Sequence, residues 1–464
     1  MIHARFPRPL LRKLGSYRVA LLAAAAALLA GCASREADPR PVVALLFTLD
    51  TFRADHLGCA GNPIVRTPHL DRLARSGSLW RDAFSPIPLT TPSHATIFSG
   101  VSPRIHGVLK NRTRLADTVP TFPEQIRATG ARTGAVVSAP IVLGPDLGLT
   151  RGFDAYVMTN EGGRPARTDG FQTMTLARDW LSEDPSVPAF LWVHLFDAHL
   201  PYDPPPPVDA LYDADYDGGF SRGTSREQIQ AAFERGEGVS PRDVIHLRAL
   251  YASAVTFVDW CVGSLVRHAL LELPPADLRV LVTADHGEGL HEHDRYFGHD
   301  TLLYDTALRV PLILAGGDVP RGVRTDFART IDVAPTLLSW FGVDPGPELE
   351  GRDLLREEAA PGPFFVETHP AAQKAPPEYG ARSATHKVLF RPDSSLWESY
   401  DLTVDPAETN DLGERRDDPF AGLARALARD LERHKPTGSR TIDDERGGPS
   451  DDVVDALEAL GYLD

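Results

Sequence analysis

Lysine is almost missing from this 464-residue chain: Lys13, Lys110, Lys374, Lys387 and Lys435 are the only five among 48 basic residues. Arginine supplies the rest, a skew that reflects genome base composition more than chemistry. Positive charge is scarce as a whole. Sixty-four acidic residues leave a formal net charge of -16. That balance excludes a nucleic-acid binder, because neutralising phosphates takes a surplus of Lys and Arg. Cysteine is scarce too. Cys32, Cys59 and Cys261 are too few for a Cys-rich zinc scaffold or a disulfide framework. No internal repeat is visible. What is present is length and apolar content, 42%, enough for two to four domains, or for one large α/β domain with an appendage, and too much for a disordered tail.

The N-terminus reads as a leader. Arg5, Arg8, Arg12, Lys13 and Arg18 precede a 12-residue apolar run, Val19 to Ala30, and residues 1–31 hold no acid. The run is short of the about 20 residues that a membrane-spanning helix takes, so the pattern is that of a signal peptide. Leu29-Ala30-Gly31-Cys32 resembles a bacterial lipobox. That resemblance implies lipidation of Cys32, export, and anchoring to the periplasmic or surface face of a bacterial cell envelope. Residues 32–41 form a polar linker. Cutting the leader removes five basic residues and takes the net charge from -16 to -21. Cys59 and Cys261 remain in an oxidising compartment, and the sequence leaves their pairing open.

The mature chain alternates strand-like and helix-like segments. Val42–Leu49, Ala135–Ser138, Phe190–Leu195, Val280–Thr283 and Val310–Ala315 are apolar runs without polar alternation, the mark of strands buried on both faces. Between them His69–Gly77, Phe122–Thr129, Gly170–Ser182, Val244–Leu271 and Asp332–Phe341 read as helices. The alternation predicts an α/β fold with a doubly wound, mostly parallel sheet over residues 42–350. Val208 to Ser240 is Gly- and Asp-rich and reads as an insertion loop. Residues 351–464 read as a smaller α+β subdomain. Its strands are Phe364–Glu367, Lys387–Arg391 and Leu396–Tyr400, its helix is Phe420–Arg433, and Asp451–Tyr462 closes the chain.

Three strand ends carry chemistry. Val42–Leu49 runs into Asp50, Phe190–Leu195 into Asp197 and His199, and Val280–Thr283 into Asp285 and His286. In a parallel sheet these lie on the carboxyl edge, where ligands bind. The segment Leu89-Thr90-Thr91-Pro92-Ser93-His94 reads as a loop feeding a helix, with Thr91 at the N-cap and Pro92 at the first helical position. Thr90 then sits at a helix N-terminus, where the dipole favours an alkoxide.

These segments, with Asp50-Thr-Phe-Arg53-Ala-Asp55 and Gly58, His106-Gly107-Val108, Asp197-Ala-His199-Leu-Pro201-Tyr202, Asp285-His286-Gly287-Glu288, Gly298-His299, Arg309-Val310-Pro311-Leu312 and Tyr400-Asp401-Leu402, occur in order. Together they resemble the sulfatase family of the alkaline-phosphatase superfamily. The resemblance implies a metal site made by Asp50, Asp285, His286 and the Thr90 oxygen. His199 and His299, with Asp197, would hold a second metal or contact the transferred group, and Asn111 would touch a non-bridging oxygen. One or two divalent ions are implied, Zn or Mn favoured by the imidazoles, with Ca or Mg as alternatives. The chain also departs from the pattern. Sulfatases carry Cys or Ser in Cys/Ser-x-Pro-x-Arg, which matures to formylglycine. Here Thr90 stands at that position, His94 replaces the Arg, and Thr51 replaces a second Asp.

The expectation is a metal-dependent hydrolase of anionic sulfate or phosphate esters that attacks through Thr90, phosphoesters favoured. Thr90, His199, His299 and Asn111 are the catalytic candidates. The alternatives are a phosphoethanolamine-type transferase and a non-catalytic surface lipoprotein that keeps the fold.

Overall fold

The computed structural model describes residues 40–159, 170–234, 239–293, 297–356, 362–369 and 377–434. The leader, Cys32 and the closing segment Asp451–Tyr462 lie outside the described residues. The main sheet comprises β1 (Val42–Leu49), β2 (Ser78–Trp80), β3 (Arg132–Val137), β4 (Ala155–Met158), β5 (Ala189–Leu195), β6 (Asp277–Thr283), β7 (Leu312–Gly316) and β8 (Gly322–Arg324). Its order is β8-β2-β7-β6-β1-β5-β3-β4. All strands run one way except β7, which is antiparallel to β6 and β2. The expected mostly parallel, doubly wound architecture is what is found.

β1 is central because it can be buried on both faces. Its sequence VVALLFTL has no charge, and residues from Val43 on are buried. β5 and β6 flank it in parallel, with Leu49 opposite Leu195 and Thr48 opposite Thr283. That register brings the three chemistry-bearing strand ends to one edge. β6 starts three residues before the apolar run, since Asp277–Arg279 pair with Val42–Ala44. Helix Pro241–Leu271 is long and apolar enough to cross a membrane, yet most of its apolar window is buried in the core. Cys59 and Cys261 are both free thiols.

The segment read as an insertion loop contains regular structure. It holds a helix, Arg226–Glu234, that buries Ile229. A single buried apolar residue gives too weak a periodicity to register in sequence. In the C-terminal part, β9 (Phe364–Thr368), β10 (Glu378–Arg382), β11 (His386–Arg391) and β12 (Leu396–Asp401) form an antiparallel sheet in that order, and helix Phe420–Arg433 packs on it. β10 has no sequence signature because its centre is Gly380. A Cβ there would meet Leu389 Cδ2 at 2.7 Å, so close strand packing excludes a larger residue.

A buried ionic cluster ties this sheet to the segment that follows the site. Lys387 is fully buried, with Nζ 2.6 Å from Glu408 Oε1 and 3.1 Å from Asp305 Oδ1. Arg382 Nη2 donates to Asp305 Oδ2 at 2.8 Å. Removing the ammonium leaves the buried Glu408 carboxylate without its counter-charge, while Asp305 keeps Arg382. Lys387→Ala is expected to cost about 3–5 kcal/mol, read as a lower midpoint in urea denaturation.

His106 makes a second buried polar contact. Its Nδ1 accepts the Val108 N–H at 3.1 Å, so its Nε2–H donates to Thr96 Oγ1 at 2.9 Å. Burial pushes it from 6.5 down to about 3. The unfolded chain therefore binds this proton across a range where the folded chain does not. The stability is fully present above 6.5 and is lost as pH falls toward 3, by at most about 1.4 kcal/mol per pH unit. His106→Gln is expected to flatten the dependence of unfolding free energy on pH between 6 and 4.

Candidate active site

Asp50 continues the β1 ladder, donating its N–H to Leu195 O at 2.9 Å. Its side chain is fully buried, and neither carboxylate oxygen has a hydrogen-bond partner. Asp285, at the end of β6, is equally buried. Its Oδ1 accepts the N–H groups of Thr51 at 3.2 Å and His286 at 2.8 Å, while Oδ2 has no hydrogen-bond partner. Thr51, where the sulfatase pattern has a second Asp, takes a left-handed φ of 54°. The hydroxyl of Tyr251 fixes that turn by donating to Thr51 O at 2.8 Å and accepting the Arg53 N–H at 3.0 Å.

His286 donates from Nδ1 to Gly287 O at 3.0 Å, which leaves Nε2 as the lone-pair nitrogen, and Nε2 has no hydrogen-bond partner. Ligand atoms of Asp50, Asp285 and His286 lie within 4.8 Å of one another. Two carboxylates and one imidazole, with partnerless buried atoms facing each other, are the donor set of a divalent cation. These residues fit a metal.

Electrostatics point the same way. Burial, reinforced by the neighbouring Asp285, pushes Asp50 well above the usual carboxylate range. Burial also opposes ionisation of Asp285, but the imidazoles of His286, His94 and His194 outweigh it and hold that carboxyl below its ordinary value. A second group of His94, His194 and Asp285 is as tight. However, both nitrogens of His94 are already hydrogen-bonded, Nδ1 with Thr90 O at 2.8 Å and Nε2 with Thr48 Oγ1 at 3.0 Å. His94 is therefore not an open ligand.

Helix Thr90–Ser99 begins at Thr90, two residues earlier than the Thr91 cap predicts, with Leu89 at the N-cap. The shift follows from what Thr91 bonds. Its Oγ1 donates to Val142 O at 2.6 Å and its N–H goes to Asn111 Oδ1 at 2.9 Å, so its hydroxyl does not cap its own helix. Thr90 thus lies inside the first turn, fully buried. Ser93 Oγ donates to Asp285 O at 2.7 Å, which seats this turn on the end of β6. Because Asn111 Oδ1 takes a backbone donor, the amide orientation is set, and Nδ2 is buried without a partner.

His199 and His299 form a second group. Their Nε2 atoms are 3.4 Å apart, and the His299 ring lies 4.1 Å from that of His286. Nδ1 of His299 donates to Pro88 O at 2.8 Å, and Nδ1 of His199 to Leu200 O. Burial pushes His199 down to about 3 and His299 well below its ordinary value. Asp197 Oδ1 accepts the Gly170 N–H at 3.0 Å, and among the described residues Asp197 joins neither metal-ligand group.

Sequence reasoning passed over several side chains. His194 Nε2 lies 3.3 Å from Asp50 Oδ2; its one signal was a histidine inside an otherwise apolar strand. Glu288 is fully buried, neither oxygen has a partner, and burial pushes it to about 8. Arg226 bonds Asp300 Oδ1 at 3.0 Å beside His299. Its guanidinium lies against Gly298, where a Cβ would come within 3.3 Å of Cζ. Lys110 is exposed, while neighbouring Asn111 is buried.

The sulfatase family profile matches residues 43–343, and the profile of the N-sulphoglucosamine sulphohydrolase C-terminal region matches residues 292–436. The chain is 22% identical to an N-acetylglucosamine-6-O-sulfatase of Bacteroides thetaiotaomicron, over 84% of this chain and 86% of that one. Its fold matches BT4656 in complex with its substrate D-glucosamine-2-N,6-O-disulfate, at TM-score 0.71 and 18% identity, covering 86% of this chain and 99% of the other. It also matches the phosphonate monoester hydrolase of Agrobacterium radiobacter, at TM-score 0.68 and 23% identity, covering 87% and 97%. The family profile spans more than half of the chain and contains every strand end of the site: the chain belongs to the sulfatase family and is an ester hydrolase of the alkaline-phosphatase superfamily.

Proposed function

We propose that the chain hydrolyses sulfate or phosphate esters through Thr90, with phosphoesters preferred. The observation that carries this reading is a threonine at the formylglycine position, buried in a helical first turn seated on Asp285. Threonine cannot mature to formylglycine. A covalent half-ester on its oxygen is released only by water attacking the esterified centre, a route suited to phosphorus. That a phosphonate monoester hydrolase shares the fold is compatible with the preference.

Asp50, Asp285 and His286, with the Thr90 oxygen, would hold a divalent cation, Zn or Mn favoured by the imidazole. Bound there, the ion would polarise a non-bridging oxygen of the ester. The remaining steps fall to the chain's own side chains. The Thr90 oxygen attacks phosphorus, its proton passes to an Nε2 lone pair of the His199–His299 pair, and the P–O bond to the alcohol breaks. Asn111 Nδ2, oriented by its own carbonyl's bond to Thr91 N–H, donates to the developing oxyanion. The His199–His299 pair, protonated at Nε2 by that transfer, delivers the proton to the departing alkoxide. Water then attacks the phosphothreonine, gives one proton to the Nε2 pair, and that proton passes to the departing Thr90 oxygen, regenerating Thr90 and the free acid. In this reading, lipidation at Cys32 carries the hydrolase to the bacterial envelope.

Thr90→Ala is expected to lower kcat by about 1,000-fold or more on p-nitrophenyl phosphate and bis-p-nitrophenyl phosphate. Full retention of activity on these and on p-nitrophenyl sulfate would reject the nucleophile. Asp50→Asn removes a ligand and also a buried like charge. Its metal content by elemental analysis is expected to fall, and the rise in Tm that added metal gives the parent enzyme should vanish.

A further inference from the structure

The residue four after Thr90 is an arginine in the sulfatase pattern and His94 here, and the neutral side chain is held in a specific way. Thr48, His94 and Trp192 are all fully buried. The indole Nε1–H of Trp192 is a donor only, and it donates to Thr48 Oγ1 at 2.8 Å. Thr48 Oγ1 gives its own hydrogen to His94 Nε2, 3.0 Å away, because the ring proton is held at Nδ1 by the Thr90 carbonyl. On the other side of the ring, Nδ1 lies 2.8 Å from the Thr90 carbonyl, an acceptor only, so Nδ1 carries the proton. The chain Trp192 to Thr48 to His94 to Thr90 thus has a single consistent direction of donation. The opposite tautomer would set a nitrogen lone pair against the Thr90 carbonyl oxygen and a second N–H against the Thr48 hydroxyl.

Resting on Thr90 as the nucleophile, we propose that Thr48 and His94 are positioning residues for it. The Thr48 hydroxyl selects the Nδ1–H form of His94, and that N–H fixes the Thr90 carbonyl and with it the turn that aims the Thr90 oxygen. The strand supplies this aim: Thr48 lies on β1 two residues before Asp50, which continues that strand's ladder, so the alternation of the strand places both toward the same face. One strand therefore sets both a metal-ligand carboxylate and the orientation of the attacking group. A misplacement of about 1 Å at a reacting atom is enough for a large loss of rate.

The discriminating pair is Thr48→Val, nearly isosteric but without the hydroxyl, against Thr48→Ser, which restores it. Thr48→Val is expected to lower kcat on bis-p-nitrophenyl phosphate at least about 10-fold with KM and metal content unchanged, and Thr48→Ser to stay close to the parent. In full-length enzyme labelled with ¹⁵N-histidine, the His94 signals, assigned by their loss in His94→Gln, are expected to show Nδ1 protonated at neutral pH. A folded, metal-replete Thr48→Val enzyme with parental kcat overturns the inference. So does a fall in kcat that merely tracks lost metal, or a parent His94 protonated at Nε2. The label decides the matter even if Thr48→Val does not fold. If Thr90→Ala is fully active, the nucleophile reading itself fails and this inference with it; if Thr90→Ala is dead while Thr48→Val matches the parent, only the positioning role fails.

Discussion

Two carboxylates buried side by side are the constraint around which this site is built. Asp50 and Asp285 end adjacent parallel strands and neither is reached by solvent. Like charges at low dielectric repel strongly, and each loses its hydration as well. The chain treats them unequally. Asp285 receives two backbone N–H groups on one oxygen and has three imidazoles around it. Asp50 receives no hydrogen bond on either carboxylate oxygen. An arrangement that gives hydrogen bonds to only one of these four buried carboxylate oxygens is incomplete without a cation, which is why the donor set reads as a metal centre.

The surrounding fold serves that pair. The register of β1 between β5 and β6 sets the spacing of the strand ends. The Tyr251 hydroxyl, from the long core helix, holds Thr51 and Arg53 so that the turn after Asp50 cannot relax away. Ser93 seats the Thr90 helix on the Asp285 carbonyl. Behind the site, Asp305 opens a short helix and is clasped by Lys387 and Arg382 from the C-terminal sheet. That cluster makes the small sheet a brace for the segment carrying His299. The lysine that does this is one of only five in the chain.

Much of this was legible from residues. Central strands of a parallel sheet are continuous apolar runs, so β1 and β5 were marked nearly to their ends, and the polar residues just beyond them had to fall on the carboxyl edge. The ordered motifs carried the family. What escaped were features with no periodic signature. β10 is centred on a glycine that only the packing of Leu389 explains. Helix Arg226–Glu234 buries one apolar residue. The start of the Thr90 helix shifted because the Thr91 hydroxyl went to Val142 instead of capping. His194 was hidden by its place within a strand.

The sequence alone determined that Asp50, Asp285, His286 and His199 belong to one edge of an α/β sheet, because strand-end position follows from local apolar patterning and chain order; Thr90 joined them through the sulfatase resemblance. It also excluded formylglycine, since that depends only on which residue stands at position 90. Tertiary structure alone decided which atoms are open. Whether a histidine is a ligand or a strut depends on what lies at its second nitrogen. For His94 those partners are Thr48, from a strand 46 residues away, and the Thr90 carbonyl, and for His286 one nitrogen has no hydrogen-bond partner and lies 3.4 Å from Asp285 Oδ2. Hydrogen-bond direction is a property of contacts distant in sequence, and no local pattern encodes it.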